Sequence, residues 1–208
     1  MTPEELLSVK LLNHVRGWLE GRRYDQAMRA LNFARKRHIG TRKDKVTPEF
    51  SHQLHITRFF MNLADLLKNP ERVIVLVLLH DTVEDEFASL SDIEQQFGND
   101  IADAVRLLSK KINGYKLPTE IYYNNMLQDV DVCLVKGGDR LHNLETIKVF
   151  SPQKKHEYAL ETAQYVLPLL KEARNLFPEH SNVINNTRQM LNICVNFINA
   201  ELEALTHE

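Results

Sequence analysis

The sequence predicts an all-α fold, and three observations carry that reading. Apolar residues recur at helical spacing, as in Leu6, Leu7, Val9, Leu12, Val15 and Leu19. Helix-breaking punctuation is sparse, with 7 Gly and 7 Pro in 208 residues. No strand signal competes with the helical one.

The elements follow in order. Thr2, Pro3 and Glu5 read as a capping box with proline in the first helical turn. A second helix runs from Tyr24 to about Arg37, and the polar stretch HIGTRKDKVTPEF after it is an irregular loop. Helices are expected at about 51–67, 70–84 and 90–97, the last opened by a capping box of Ser91 and Glu94. Another spans about 99–110, and NGYKLP at 113–118 is a loop. A long segment at 119–149 comes next, then a helix opened by Ser151-Pro152 and a last one over about 180–204. Pro168 should kink or break the helix it lies in. VIVLVLL at 73–79 is β-branched enough for a buried strand. It reads as a buried helix because it joins HDTVED without a turn residue.

Composition narrows the class. A hydrophobic content of 43% fits a globular protein with a real core, and a net charge of -2 gives no global pull toward nucleic acid or membrane. The 2 cysteines, Cys133 and Cys194, stand outside any CxxC pattern, so neither a disulfide scaffold nor a cysteine zinc site is expected, and a reducing cytoplasm fits. MTPEELLSVK has acidic residues where a signal peptide has basic ones. No apolar run approaches the roughly 18 residues of a membrane span. The expectation is one all-α domain over 1–208, with a helical extension from about 171 that packs on this core or on a second copy.

The chemistry concentrates where VIVLVLL ends. His80 and Asp81, then Glu84 and Asp85, put ionisable groups at the edge of the most apolar segment. Buried carboxylates cost several kcal/mol unless a partner compensates, and a divalent cation is the economical partner. His with carboxylate oxygens suits Mn, Fe or Zn more than Ca. The bland alternative is a solvated helix end with a core histidine. His52 and His55 on the preceding helix and Asp139 in VKGGDRLHN are the further candidate ligands, and His142 is a ligand or a core residue. Gly137-Gly138 marks either a close approach to the backbone or a simple turn. RKRHIGTRKDK at 35–45 is either a solvated loop or a polyphosphate clamp.

Together these pieces resemble one family. His52, His80-Asp81 and Asp139 have the H…HD…D order of HD-domain metal-dependent phosphohydrolases. Arg42-Lys43, HDTVED, KGGDRLHN at 136–143, FARKRH at 33–38 and LSDIEQQFGNDIADAVRLLSK at 90–110 look like the hydrolase domain of the RelA/SpoT homologues. The resemblance covers about residues 24–170. It implies an HD-domain helical bundle that removes the 3′-pyrophosphate of the alarmones (p)ppGpp. It implies His52, His80, Asp81 and Asp139 as metal ligands, usually of Mn²⁺, with other divalent transition metals open, and Glu84 and Asp85 as catalytic acids. Arg42, Lys43, Lys45, Lys136, Asn143 and Thr146 fall at positions expected to line the nucleotide site. The chain is short for an adjoining synthetase domain and looks like a stand-alone hydrolase. Gln53 replaces a usual proline, His55 a usual small residue and Glu145 a usual basic one. An HD enzyme acting on (p)ppApp, NADPH or another nucleotide stays open, as do a non-catalytic alarmone-binding protein, a helical adaptor whose metal is only structural, and assembly with a second copy.

Overall fold

In the computed structural model, which describes residues 2–206, the first helix starts where the sequence places it. Glu5 N donates to Thr2 Oγ1 at 3.1 Å and Thr2 N to the Glu5 carboxylate at 2.8 Å, which caps α1 (Pro3–Arg22). Then come α2 (Asp25–Arg35), α3 (Ser51–Asn62), α4 (Pro70–Leu79), α5 (Leu90–Phe97) and α6 (Asn99–Leu108). A hairpin of β1 (Lys111–Ile112) and β2 (Tyr115–Lys116) leads to α7 (Thr119–Met126) and α8 (Val130–Glu145). The chain ends in α9 (Pro152–Glu161), α10 (Leu167–Leu176) and α11 (Ser181–Thr206). The all-α fold is therefore observed, with the hairpin as its small exception. No helix among the described residues is long and apolar enough to cross a membrane.

VIVLVLL is a helix buried on every face. Val73 to Leu79 each show 0% exposure, and α2, α3, α6 and α8 surround them. Each such side chain contributes roughly 1.5–3 kcal/mol by leaving water, which fixes α4 at the centre. Arg72 in its first turn holds the neighbours in register. Its guanidinium donates to Asp100 of α6 at 2.7 Å, to the α8 N-cap Asp129 at 2.6 Å and to Asp131 at 2.8 Å.

Gly137 and Gly138 lie inside α8, not in a turn, and the close approach is by side chains. A Cβ on Gly138 would sit 2.7 Å from Phe60 Cε2, and one on Gly137 3.1 Å from Thr187 Cγ2. Phe60 of α3 is wholly buried and cannot give way. Gly138→Ala is expected to cost about 1–3 kcal/mol of stability by overpacking. Denaturant unfolding checks it; an unchanged midpoint contradicts the packing described. α11 lies against α8, α9 and α10, burying Val183, Ile184, Leu191, Val195 and Ile198.

Four local expectations are corrected. The helix expected over 70–84 stops at Leu79: Thr82 Oγ1 donates to Leu79 O at 2.6 Å and His80 Nδ1 to Val77 O at 2.7 Å, occupying carbonyls that continuation would use. The capping box near 90 belongs to Ser89 and Asp92, not Ser91 and Glu94. The NGYKLP loop contains a hairpin turn, since Asn113 (φ 51°) and Gly114 (φ 80°) supply the two left-handed residues that a tight hairpin needs. Pro168 does not end its helix. A π-helical stretch, Thr162–Val166, precedes it and α10 continues, so the ring sits where no i−4 bond is required.

Candidate metal centre

Three helices bring the candidate ligands together. His52 is in the first turn of α3, His80 caps the end of α4 with Asp81 after it, and Asp139 lies on α8. His52 Nε2 is 3.2 Å from Asp139 Oδ1 and 3.9 Å from Asp81 Oδ2. His80 Nε2 is 3.0 Å from Asp81 Oδ2 and 3.8 Å from Asp139 Oδ1. Ligand atoms of His52, His80 and Asp81 all fall within 4.8 Å of one another. With Nδ1 of His80 donating to Val77 O, its Nε2 faces the cluster, buried and without a hydrogen-bond partner. A buried, unpartnered imidazole nitrogen among carboxylates fits a divalent cation, and the mixed nitrogen and oxygen donor set suits a transition metal.

The electrostatics agree. Burial works against the His80 imidazolium, but Asp81 and Asp139 outweigh it and hold its pKa well above the ordinary value. Burial likewise opposes the Asp139 carboxylate, but Lys136 at 2.9 Å, His52 and His80 keep its pKa well below the usual range. Burial pushes the pKa of His52 down. Without a cation the cluster therefore keeps a proton on His80, and a cation must displace it. Metal affinity should fall as pH is lowered, by about tenfold per unit below that pKa. Calorimetry in two buffers of different ionisation enthalpy should read about one proton released per ion. No release would contradict the assignment of His80.

Glu84 and Asp85 lie in the turn after α4. The Glu84 carboxylate accepts from Lys110 N at 2.7 Å, which pins it to the root of the hairpin. Burial, then the charges of Asp81 and Glu84, push the Asp85 carboxyl up to about 6. A carboxylate with that value is a competent base near neutral pH.

Beside the cluster opens a cavity of about 760 Å³. Of the residues expected at a ligand, Arg42, Lys43, Lys45, Asn143 and Thr146 line it. The basic loop is folded into a turn: Val46 N and Thr47 N both donate to Asp44 Oδ1 at 2.9 Å, and Arg42 N donates to Thr47 O at 2.8 Å. Lys43 Nζ stands 4.8 Å over the Phe150 ring. Asn143 Nδ2 donates to Asp139 Oδ1 at 2.6 Å, joining the cavity wall to the metal cluster. Lys136 does not line the cavity; its half-buried ammonium donates to Asp139 Oδ2 at 2.9 Å.

Four further residues belong to this region, two of them, His55 and His142, already candidate ligands from the sequence. His142 and His55 line the cavity, and Nδ1 of His142 is 2.8 Å from Nδ1 of His52. Gln53, fully buried, reaches Asp81 Oδ2 with Nε2 at 3.5 Å. His38 is buried with Nδ1 donating to Ala34 O at 3.0 Å and Nε2 unpartnered. FARKRH held the signal for His38, and DRLHN that for His142.

Comparison with known proteins agrees with the geometry. A family model described as an HD domain matches residues 30–115. A guanosine-3′,5′-bis(diphosphate) 3′-pyrophosphohydrolase of Aquifex aeolicus is 32% identical over 165 residues, covering 77% of this chain and 22% of that protein. A protein of Synechocystis, named a probable enzyme of the same activity, is 33% identical over 150 residues, covering 68% of this chain and 19% of its own length. The chain thus spans about a fifth of the curated relatives it matches. A solved structure, described as a metazoan ortholog of SpoT that hydrolyses ppGpp, superposes with a TM-score of 0.58 at 20% identity, covering 85% of this chain and 94% of that one. Fold and site define an HD-domain protein, a class whose His–Asp cluster implies a divalent metal. Over 68–77% of its length the chain is similar to proteins named for 3′-pyrophosphohydrolysis of guanosine-3′,5′-bis(diphosphate), in line with the resemblance to the RelA/SpoT homologues.

Proposed function

We propose that this chain hydrolyses the 3′-pyrophosphate of guanosine alarmones, ppGpp and pppGpp, giving pyrophosphate with GDP or GTP. The observation that carries the reading is the convergence of His52, His80, Asp81 and Asp139 beside a cavity walled by Arg42, Lys43 and Lys45. The relatives named for this activity support it.

The four ligands would hold one divalent cation, taken here as Mn²⁺. Bound there, it supplies Lewis acidity to a water and to the phosphoryl oxygens. The chain's own residues do the rest. Asp85 takes the proton of a water that attacks the phosphorus bonded to the ribose 3′ oxygen. That P–O bond breaks, the 3′ oxygen takes a proton, and pyrophosphate leaves carrying the water oxygen. Glu84, held by Lys110 N, orients the water. Arg42, Lys43 and Lys45 offset the charge of the departing diphosphate. Asn143 and Thr146 hold ribose or phosphate oxygens. Lys136 acts through Asp139, keeping it a carboxylate.

Residues 1–208 act, on this reading, as one HD-type unit, since α11 packs on the helix that carries Asp139. Both cysteines are free, which fits a reducing cytoplasm. A panel of ppGpp, ppApp and NADPH at equal Mn²⁺ tests the substrate. Fastest turnover of ppGpp is expected. Faster turnover of ppApp or NADPH would move the reading to that nucleotide.

A further inference from the structure

We propose that His142 is a positioning residue that transmits the state of the metal centre to the cavity: it accepts the Nδ1–H of a metal-holding His52, which fixes its own proton on Nε2 as a donor to an acceptor oxygen of the substrate. Proton placement decides which ring donates. Nε2 of His52 faces the ligand cluster, so as a ligand it gives a lone pair there and its proton resides on Nδ1. That Nδ1 lies 2.8 Å from Nδ1 of His142, and two imidazole nitrogens at that distance share one proton. With His52 as donor, Nδ1 of His142 is the acceptor. A neutral imidazole then carries its proton on the other nitrogen. An Nδ1 that accepts carries no proton of its own, so the ring is neutral with its one N–H on Nε2. Nδ1 being engaged, the Nε2 edge is what His142 offers to the cavity it lines. The His55 ring stacks on it at 5.1 Å and 24°, which limits rotation.

The opposite arrangement is also built in. His52 Nε2 lies 3.2 Å from Asp139 Oδ1, within reach to donate to it when no cation is bound. Nδ1 of His52 is then the acceptor, His142 donates from Nδ1, and its cavity nitrogen accepts. Cation binding therefore turns the cavity nitrogen of His142 from acceptor to donor. A ligating histidine usually ends its other hydrogen bond on a carboxylate, carbonyl or water. An imidazole in that place passes the constraint onward. A donor in the cavity selects a carbonyl, hydroxyl or phosphate oxygen and rejects an amine. This last step rests on the nucleotide reading above; the histidine pair does not.

Long-range ¹H–¹⁵N correlation spectra of the full chain, metal-free and with Zn²⁺ as a diamagnetic probe, test the pair. His142 should be the Nδ1–H tautomer without Zn²⁺ and the Nε2–H tautomer with it. The same tautomer in both states overturns the proposal. His142→Leu, which removes the acceptor, should bind Zn²⁺ about 10–100-fold more weakly. Wild-type Zn²⁺ affinity in that variant overturns the positioning role. His142→Asn, which keeps an acceptor near Nδ1 and drops the far N–H, should keep Zn²⁺ affinity within about threefold and weaken a probe about tenfold. Weaker GDP binding places the acceptor on the nucleoside, and weaker pyrophosphate binding places it on the diphosphate. Unchanged binding of both overturns the donor role. Should the wild type bind neither probe, the nucleotide reading fails, while the tautomer and Zn²⁺ results still decide the histidine pair.

Discussion

Asp81→Ala is expected to abolish tight divalent-metal binding and turnover together. Asp81 Oδ2 lies 3.0 Å from His80 Nε2 and 3.9 Å from His52 Nε2. Its removal leaves two buried imidazoles with only Asp139, whose oxygens are already engaged by Lys136 and Asn143. Calorimetric titration of the metal-stripped variant with Mn²⁺ should show no high-affinity step. Circular dichroism should be near that of the parent, because Asp81 lies in the turn after α4 and not in the core. A variant that still binds Mn²⁺ like the parent contradicts the ligand set.

Glu84→Ala is expected to do the reverse: it keeps the metal and loses turnover by about 10²–10⁴-fold. Glu84 is bonded to Lys110 N and supplies one of the charges that raise the Asp85 pKa. The pH profile of the parent gives the matching sign. On the proposed mechanism Asp85 acts as a carboxylate, so activity should be lost as pH falls through its pKa, about 6 in the metal-free site. A bound cation favours the carboxylate and moves that limb to lower pH. Asp85→Asn removes the limb along with the activity. Retained turnover in the Glu84 variant, or an acid limb unchanged in the Asp85 variant, would contradict these roles.

Much of this was legible in the residues. The helices whose starts are marked by polar caps, at Thr2 and at Ser151, begin where those residues stand. The central helix followed from an unbroken apolar run longer than its neighbours, and the candidate ligands from ionisable groups at its edge. What was not legible depends on competition among close alternatives. Ser89/Asp92 and Ser91/Glu94 are both plausible caps four residues wide, and only the observed side-chain bonds choose between them. The stop at Leu79 arises from Thr82 and His80 taking backbone carbonyls, a local bond that apolar periodicity does not encode. The hairpin was marked by Asn113-Gly114, the strongest short hairpin signal, but strands of two residues leave no alternation to detect. Gly137 and Gly138 left a close approach and a turn equally open, and the residues that decide for the approach, Phe60 and Thr187, are far away in sequence. The same holds for the contact of His52 with His142, 90 positions apart.

On the proposed reading, the His–Asp cluster and the basic cavity together form a metal-dependent pyrophosphohydrolase. The most direct test is to incubate the purified, metal-stripped protein with ppGpp, with and without Mn²⁺, and to assay pyrophosphate and GDP. Release of both in equal amounts, only with Mn²⁺, is expected. Absence of release from protein shown by calorimetry to hold Mn²⁺ would contradict that reading.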